Sequence, residues 1–120
     1  MYNLGVDYMV NICEDRNDEQ IKLFGIALAG AKLIMYKDTT VGMIDYNVYN
    51  ERVHIQYIMV QDEYRKLGIA RKVIEKIMNE NPGKYMYGDA LPGAIKFWER
   101  LGAEFGECED EYLTPFIIEY

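Results

Sequence analysis

The 120-residue chain has one histidine, His54, and two cysteines, Cys13 and Cys108. It holds no Cys-x-x-Cys pair and no Cys/His cluster, so nothing builds a structural zinc site and no metal is expected. No Ser/His/Asp or Cys/His nucleophile pattern is present, so a covalent enzyme intermediate is not called for. Positive charge is scarce. Lys and Arg number 13 against 20 Asp and Glu, a formal net charge of -7. That balance argues against nucleic acid or an anionic membrane surface as the main partner and suits a cationic molecule. Long apolar runs are missing. The stretch Ile21–Leu33 is apolar and rich in small residues, but it is too short and too interrupted to span a bilayer. Glu14, Asp15, Asp18 and Glu19 precede it, where a signal peptide would carry positive charge. Two reduced thiols then point to the cytoplasm.

Half of the residues are apolar, enough for one core, and the length suits a single domain over 1–120. There are no internal repeats and no linker. Val6, Tyr8, Val10 and Ile12 alternate with Asp7, Met9 and Asn11, a period of two that predicts a first strand. Asn17 or Asp18 caps a predicted helix to about Ala29, with Ile21, Phe24 and Leu28 on one face. Lys32–Tyr36, Val41–Tyr49 and Val53–Val60 are β-branched and aromatic runs separated by polar turns, which predicts an antiparallel meander. The period then changes. Gly68–Asn79 is an amphipathic helix with Ile69, Val73 and Ile77, flanked by Ala70, Ile74 and Met78, on one face. A short strand Lys84–Tyr87 follows. A helix Gly93–Leu101 turns Ala94, Phe97, Trp98 and Leu101 inward, and strands Ala103–Phe105 and Tyr112–Tyr120 flank the acidic loop Glu107–Glu111. The fold class is α/β, one mixed sheet flanked by helices.

The chemistry concentrates in Arg65-Lys66-Leu67-Gly68-Ile69-Ala70, between a strand and a helix. A helix N-terminus has unpartnered N–H groups and the positive end of the helix dipole, an anion site. Gly68 admits a phosphate close to the backbone, Ala70 keeps the first turn small, and Arg65 and Lys66 add charge. The expected ligand is a pyrophosphate. The spacing is neither that of a Walker loop nor that of the dinucleotide fingerprint.

Arg65-x-x-Gly68-x-Ala70 resembles the Arg/Gln-x-x-Gly-x-Gly/Ala motif of the GNAT acetyltransferases. Ile58–Tyr64 is similar to the strand and linker that lead into that motif. Ala94–Ala103 is similar to the family's Ala-x-x-Phe-Tyr-x-x-x-Gly-Phe helix. The resemblance covers about Lys32–Tyr120 and suggests a short bacterial or phage-like member. It implies a mainly antiparallel GNAT-like sheet with a V-shaped splay near Val60. Acetyl-CoA would lie with its pyrophosphate on Leu67–Ala70 and its pantetheine along Ile58, Met59 and Val60. A small-molecule or peptide amine would attack the thioester directly, one proton leaving the ammonium and one reaching the thiolate. A homodimer is compatible with this picture.

Two positions depart from the family pattern. Trp98 stands where a tyrosine acid is common, and Leu91 where an asparagine is common. Catalysis therefore needs other groups, or the chain is a non-catalytic module that binds acyl-CoA. His54 stands on the Val53–Val60 strand where some members carry a base, and imidazole changes charge near neutral pH; a cross-strand histidine without chemistry is the alternative. Tyr112 is the candidate replacement acid. The acidic residues Glu104, Glu107, Glu109, Asp110 and Glu111 favour a polyamine-like or lysine-like acceptor, or form a solvated loop. Cys108 is a spectator thiol.

Overall fold

The computed structural model describes residues 9–15, 18–25, 27–108 and 112–119. Seven strands form one sheet in the order β1-β2-β3-β4-β5-β7-β6. The strands are β1 (Val10–Glu14), β2 (Lys32–Tyr36), β3 (Thr39–Val48), β4 (Arg52–Val60), β5 (Tyr85–Ala90), β6 (Glu104–Phe105) and β7 (Thr114–Ile118). The helices are α1 (Glu19–Phe24), α2 (Ile69–Glu80) and α3 (Ile95–Arg100). β4 and β5 are parallel, whereas β1–β2, β2–β3, β5–β7 and β6–β7 are antiparallel. This is the expected mixed, mainly antiparallel sheet with flanking helices. Among the described residues no helix is long and apolar enough to cross a membrane.

The chain packs as two compact units, 1–46 with 57–77 and 47–56 with 78–120. In the first, the 3.6-residue period buries Ile69, Val73, Ile74 and Ile77 along one face of α2. Val10, Leu33, Ile34, Val41, Met43, Ile44 and Val60 complete the buried apolar set of the strands in this unit. In the second, Val53, Ile55, Met86, Ala90, Phe116 and Ile118 are buried. Trp98 on α3 is also buried and stacks on Phe116, ring centroids 4.1 Å apart.

Several boundaries differ from expectation, each for a local reason. The first strand occupies Val10–Glu14, because its ladder with β2 runs from Val10–Tyr36 to Glu14–Lys32; residues 6–8 lie outside the described residues. Helix α1 ends at Phe24, stopped by Gly25 at φ +72°. Asp18 is the N-cap residue, one of the two expected, but the capping carboxylate is that of Asp15, which accepts from the N–H groups of Glu19 (2.9 Å) and Gln20 (3.2 Å). Leu28 is therefore not helical. Its N–H donates to Oε1 of buried Gln20, whose Nε2 donates to the Ala31 carbonyl. The loop after α1 thus folds around one amide side chain.

The later predicted helix is a 3₁₀ turn, Pro92–Ala94, followed by α3, since Pro92 favours a tight first turn. Phe97 is only half-buried. β5 is longer than Lys84–Tyr87 because β7 pairs with it through Ala90–Thr114. The terminal strand is Thr114–Ile118, which leaves Tyr112 outside it and 68% exposed.

A register shift between Ile34 and Met35 leaves Val41 unmatched in the β2–β3 ladder, a bulge. The next residue, Gly42, lies against β4: a Cβ there would collide with the Met59 carbonyl oxygen. Gln61 N–H donates to the Val41 carbonyl at 2.8 Å. The bulge and the glycine together hold the Met59–Gln61 backbone close to β3. Gly42→Ala is expected to destabilise the fold by about 1–3 kcal/mol through forced separation of the two backbones. Urea unfolding would read this as a lower midpoint at unchanged slope; an unchanged midpoint would show that the contact gives way freely.

Candidate functional site

The parallel ladder between β4 and β5 covers Arg52–Tyr85, Val53–Met86, His54–Tyr87 and Ile55–Gly88, and stops there. β4 continues to Val60 and β5 to Ala90. Beyond Ile55, β4 therefore has backbone groups without a β5 partner, and Ile58, Met59 and Val60 belong to that segment. The ladder thus ends five residues before Val60. A row of unpaired strand groups is a template for any extended chain bearing amides.

β4 does not run directly into a helix. Asp62–Leu67 forms a 3₁₀ helix that ends at Gly68, φ +73°. Sequence periodicity missed this turn because a 3₁₀ segment so short carries no apolar repeat. The left-handed conformation is one that glycine adopts without cost. The space beside Gly68 is open: apart from its chain neighbours, nothing lies within 4 Å of where a Cβ would stand. Helix α2 starts at Ile69, and the first bond of that helix runs from Lys72 N–H to the Gly68 carbonyl, 3.1 Å. The N–H groups of Ile69, Ala70 and Arg71 thus have no partner within the helix. The Gly68 N–H donates back to the Arg65 carbonyl at 3.5 Å. Ile69 and Ala70, two of these three residues, belong to the expected Leu67–Ala70 stretch.

The two basic residues of the motif differ. Arg65 Nε donates to the Val60 carbonyl at 2.8 Å, and a terminal guanidinium nitrogen meets Asp62 Oδ1 at 2.7 Å. Arg65 therefore ties the end of β4 to the turn; the exposed ion pair adds little, the carbonyl bond fixes position. Lys66 is exposed and makes no ion pair among the described residues. It is the cation available to an incoming anion. Beside these residues lies a shallow depression of about 450 Å³, lined by Leu23, Phe24, Met59, Gln61, Asp62, Glu63 and Arg65. Leu23 and Phe24 come from α1, where the sequence pattern marks only a core face.

The candidate catalytic residues do not gather at this place. His54 lies within the paired part of β4, half-buried, its ring stacked on Tyr87 at 4.6 Å and 10°. Tyr87 also lies under the Arg52 guanidinium, 5.4 Å from its centroid. Hydrogen bonding to Tyr85, with smaller contributions from Tyr87 and Tyr49, holds Arg52 above its ordinary pKa, so it stays charged. Tyr112 precedes β7, and Glu109, Asp110 and Glu111 lie outside the described residues. Glu104 belongs to β6, within the expected strand Ala103–Phe105. Leu91 is exposed, and Trp98, where the family commonly has its acid, is a core residue. Cys108 Sγ donates to the Leu113 carbonyl.

The sequence itself decides the lineage. Residues 2–103 match the family model described as "Acetyltransferase (GNAT) family". The chain belongs to the GNAT acetyltransferase family. It is 30% identical over 96 residues to "Probable N-acetyltransferase san" of Drosophila melanogaster, covering 68% of this chain and 50% of that protein. The chain thus spans half the length of that relative. Among solved structures it is similar to Arabidopsis thaliana Naa50 in complex with the bisubstrate analogue CoA-Ac-MVNAL, at TM-score 0.69 and 19% identity, covering 93% and 99% of the two chains. It is also similar to the N-acetyltransferase PseH of Campylobacter jejuni, at TM-score 0.70 and 13% identity, covering 92% and 98%. Both likenesses establish the GNAT fold.

One substitution tests the loop. Gly68→Glu places a carboxylate and a strained backbone beside the three donors. It is expected to abolish measurable coenzyme A binding in calorimetry while circular dichroism stays native. An affinity equal to that of the parent would remove the loop from the site.

Proposed function

We propose that the chain, acting as one domain, is an acetyl-CoA-dependent N-acetyltransferase that passes the acetyl group to a primary amine. The observation that carries this is the β4 segment Gln56–Val60. It continues past the ladder and leads through a 3₁₀ turn and Gly68 to the N-terminus of α2. A pyrophosphate fits the Ile69–Arg71 donors with Lys66 alongside, and a pantetheine arm, with its two amides, fits the strand edge. Acetyl-CoA would supply the thioester. The acceptor nitrogen then attacks the carbonyl carbon directly, the C–S bond breaks, and the thiolate takes a proton as the nitrogen loses one.

His54 is the proposed base for the ammonium, acting through a water. Two tyrosines compete as acid. Tyr112 is the residue favoured by sequence, yet it is far out in solvent. Tyr57 is half-buried on the β4 segment next to Ile58, where the thioester would lie. Its phenol is the donor proposed in place of Tyr112. The sequence pattern conceals it because it belongs to the same aromatic, β-branched run as the core residues.

A second reading keeps some support. Trp98 is buried where the family commonly places its acid, which suits a module that binds acyl-CoA without turning it over. Coenzyme A release from acetyl-CoA across a panel of amines separates the two. Release that depends on the amine is expected, and binding without release would favour the module. In the active protein, Tyr57→Phe is expected to lower turnover about a hundredfold, with Tyr112→Phe near parent. The reverse ranking would return the role to Tyr112. His54→Gln should reduce turnover more than coenzyme A affinity, and full turnover in that variant would leave His54 as Tyr87's stacking partner alone.

A further inference from the structure

His54 is the single histidine of the chain. Among the described residues no hydrogen bond or ion pair reaches its ring. The last torsion of a histidine side chain is broad and roughly two-fold, so the ring's direction is soft unless something outside fixes it. A hydrogen bond to one ring nitrogen commonly does so. At His54 an aromatic ring takes that place.

The sheet prepares the contact. His54 and Tyr87 are register partners on the parallel β4–β5 ladder. Neighbouring strands run roughly 4.8 Å apart, and the two rings stack at 4.6 Å and 10°. Both side chains therefore meet without leaving their ladder positions. Gly88, the next residue of β5, keeps the strands close: a Cβ there would stand 2.7 Å from the Ile55 carbonyl oxygen. Stacking of this kind covers the face of an imidazole and leaves both nitrogens at its edge, open to a water or an amine.

Tyr87 has a brace of its own. The Arg52 guanidinium lies 5.4 Å from the Tyr87 centroid and 5.3 Å from that of Tyr49. It also hydrogen-bonds Tyr85, its ladder partner on β5. A planar guanidinium rests well on aromatic faces, and among the described residues no carboxylate draws Arg52 away from them. Tyr49 is fixed in turn, because its N–H donates to the Arg52 carbonyl at 2.8 Å and its carbonyl accepts from Lys84 Nζ at 2.8 Å. All these residues belong to the second compact unit. The row Tyr49, Arg52, Tyr87 ends on His54.

We propose that Tyr87, braced by Arg52, is the positioning residue that aims the His54 ring nitrogens at the water through which the acceptor loses its proton. This rests on His54 as the base proposed above and names what aims it. Tyr87 moves no proton itself, so its ring matters and its hydroxyl does not.

With one histidine in the chain, the two carbon-bound ring protons of His54 give unambiguous NMR signals. In the parent protein the Tyr87 ring current should move them upfield of their free-imidazole positions. Tyr87→Phe should keep that shift and Tyr87→Leu should lose it. At saturating substrates Tyr87→Leu is expected to lower kcat about a hundredfold, the scale set by a misplaced group, with the KM for acetyl-CoA unchanged. Tyr87→Phe should restore most of that loss, and Arg52→Gln should lower kcat several-fold. Added to His54→Gln, Tyr87→Leu should cost nothing further, whereas a merely structural tyrosine would cost as much in either background. Parent ring signals at free-imidazole positions would overturn the stack, a reading that needs neither turnover nor a folded variant. Loss in Tyr87→Phe equal to that in Tyr87→Leu would overturn the positioning role in favour of the phenol. Low turnover in His54→Gln beside parent turnover in Tyr87→Leu would overturn the positioning role alone. Full turnover in His54→Gln would remove the base, and this inference with it.

Discussion

Backbone amides in a sheet need partners, and on β4 the supply on one side ends at Ile55. Everything proposed for this chain depends on that shortage. A strand that continues five residues past its ladder keeps donors and acceptors at a spacing that another extended chain can use. Without the shortage, the Arg65–Ala70 loop would be one more helix start with nothing leading to it.

The surroundings hold that segment still. The bulge at Val41 and the absence of a side chain at Gly42 bring the β3 backbone against Met59 and Val60. Arg65 grips the Val60 carbonyl. Arg65, which the motif offers as a phosphate ligand, thus also braces the end of β4, and the next residue, Lys66, is exposed and makes no ion pair among the described residues. Binding an extended ligand to a preformed edge costs less ordering entropy than binding it to a mobile one.

Much of the fold was legible in the residues. The β-branched runs at Lys32–Tyr36 and Val53–Val60 are strands within a residue, and the Ile69–Ile77 period is the buried face of α2. What escaped depends on contacts distant in sequence. Gln20 as the clasp of the next loop, bonded to Leu28 and Ala31, is a choice that no local propensity encodes. The 3₁₀ turn at Asp62–Leu67 has no periodic signature, and the extension of β5 to Ala90 is set by β7. For the site, the glycine and the helix start were readable because their chemistry is local. Tyr57 was hidden because it sits in an aromatic, β-branched run whose pattern reads as core. The acidic tail of the chain was the louder signal, and charge density alone does not locate a binding site.

Amide hydrogen exchange with and without acetyl-CoA tests the central claim most directly. If the ligand completes the β4 edge and its pyrophosphate caps α2, exchange should slow at residues within Gln56–Val60 and at Ile69–Arg71. The already laddered Val53 and Ile55 should change little. Saturating acetyl-CoA that leaves both segments exchanging as before, or protects only residues elsewhere, would contradict the account.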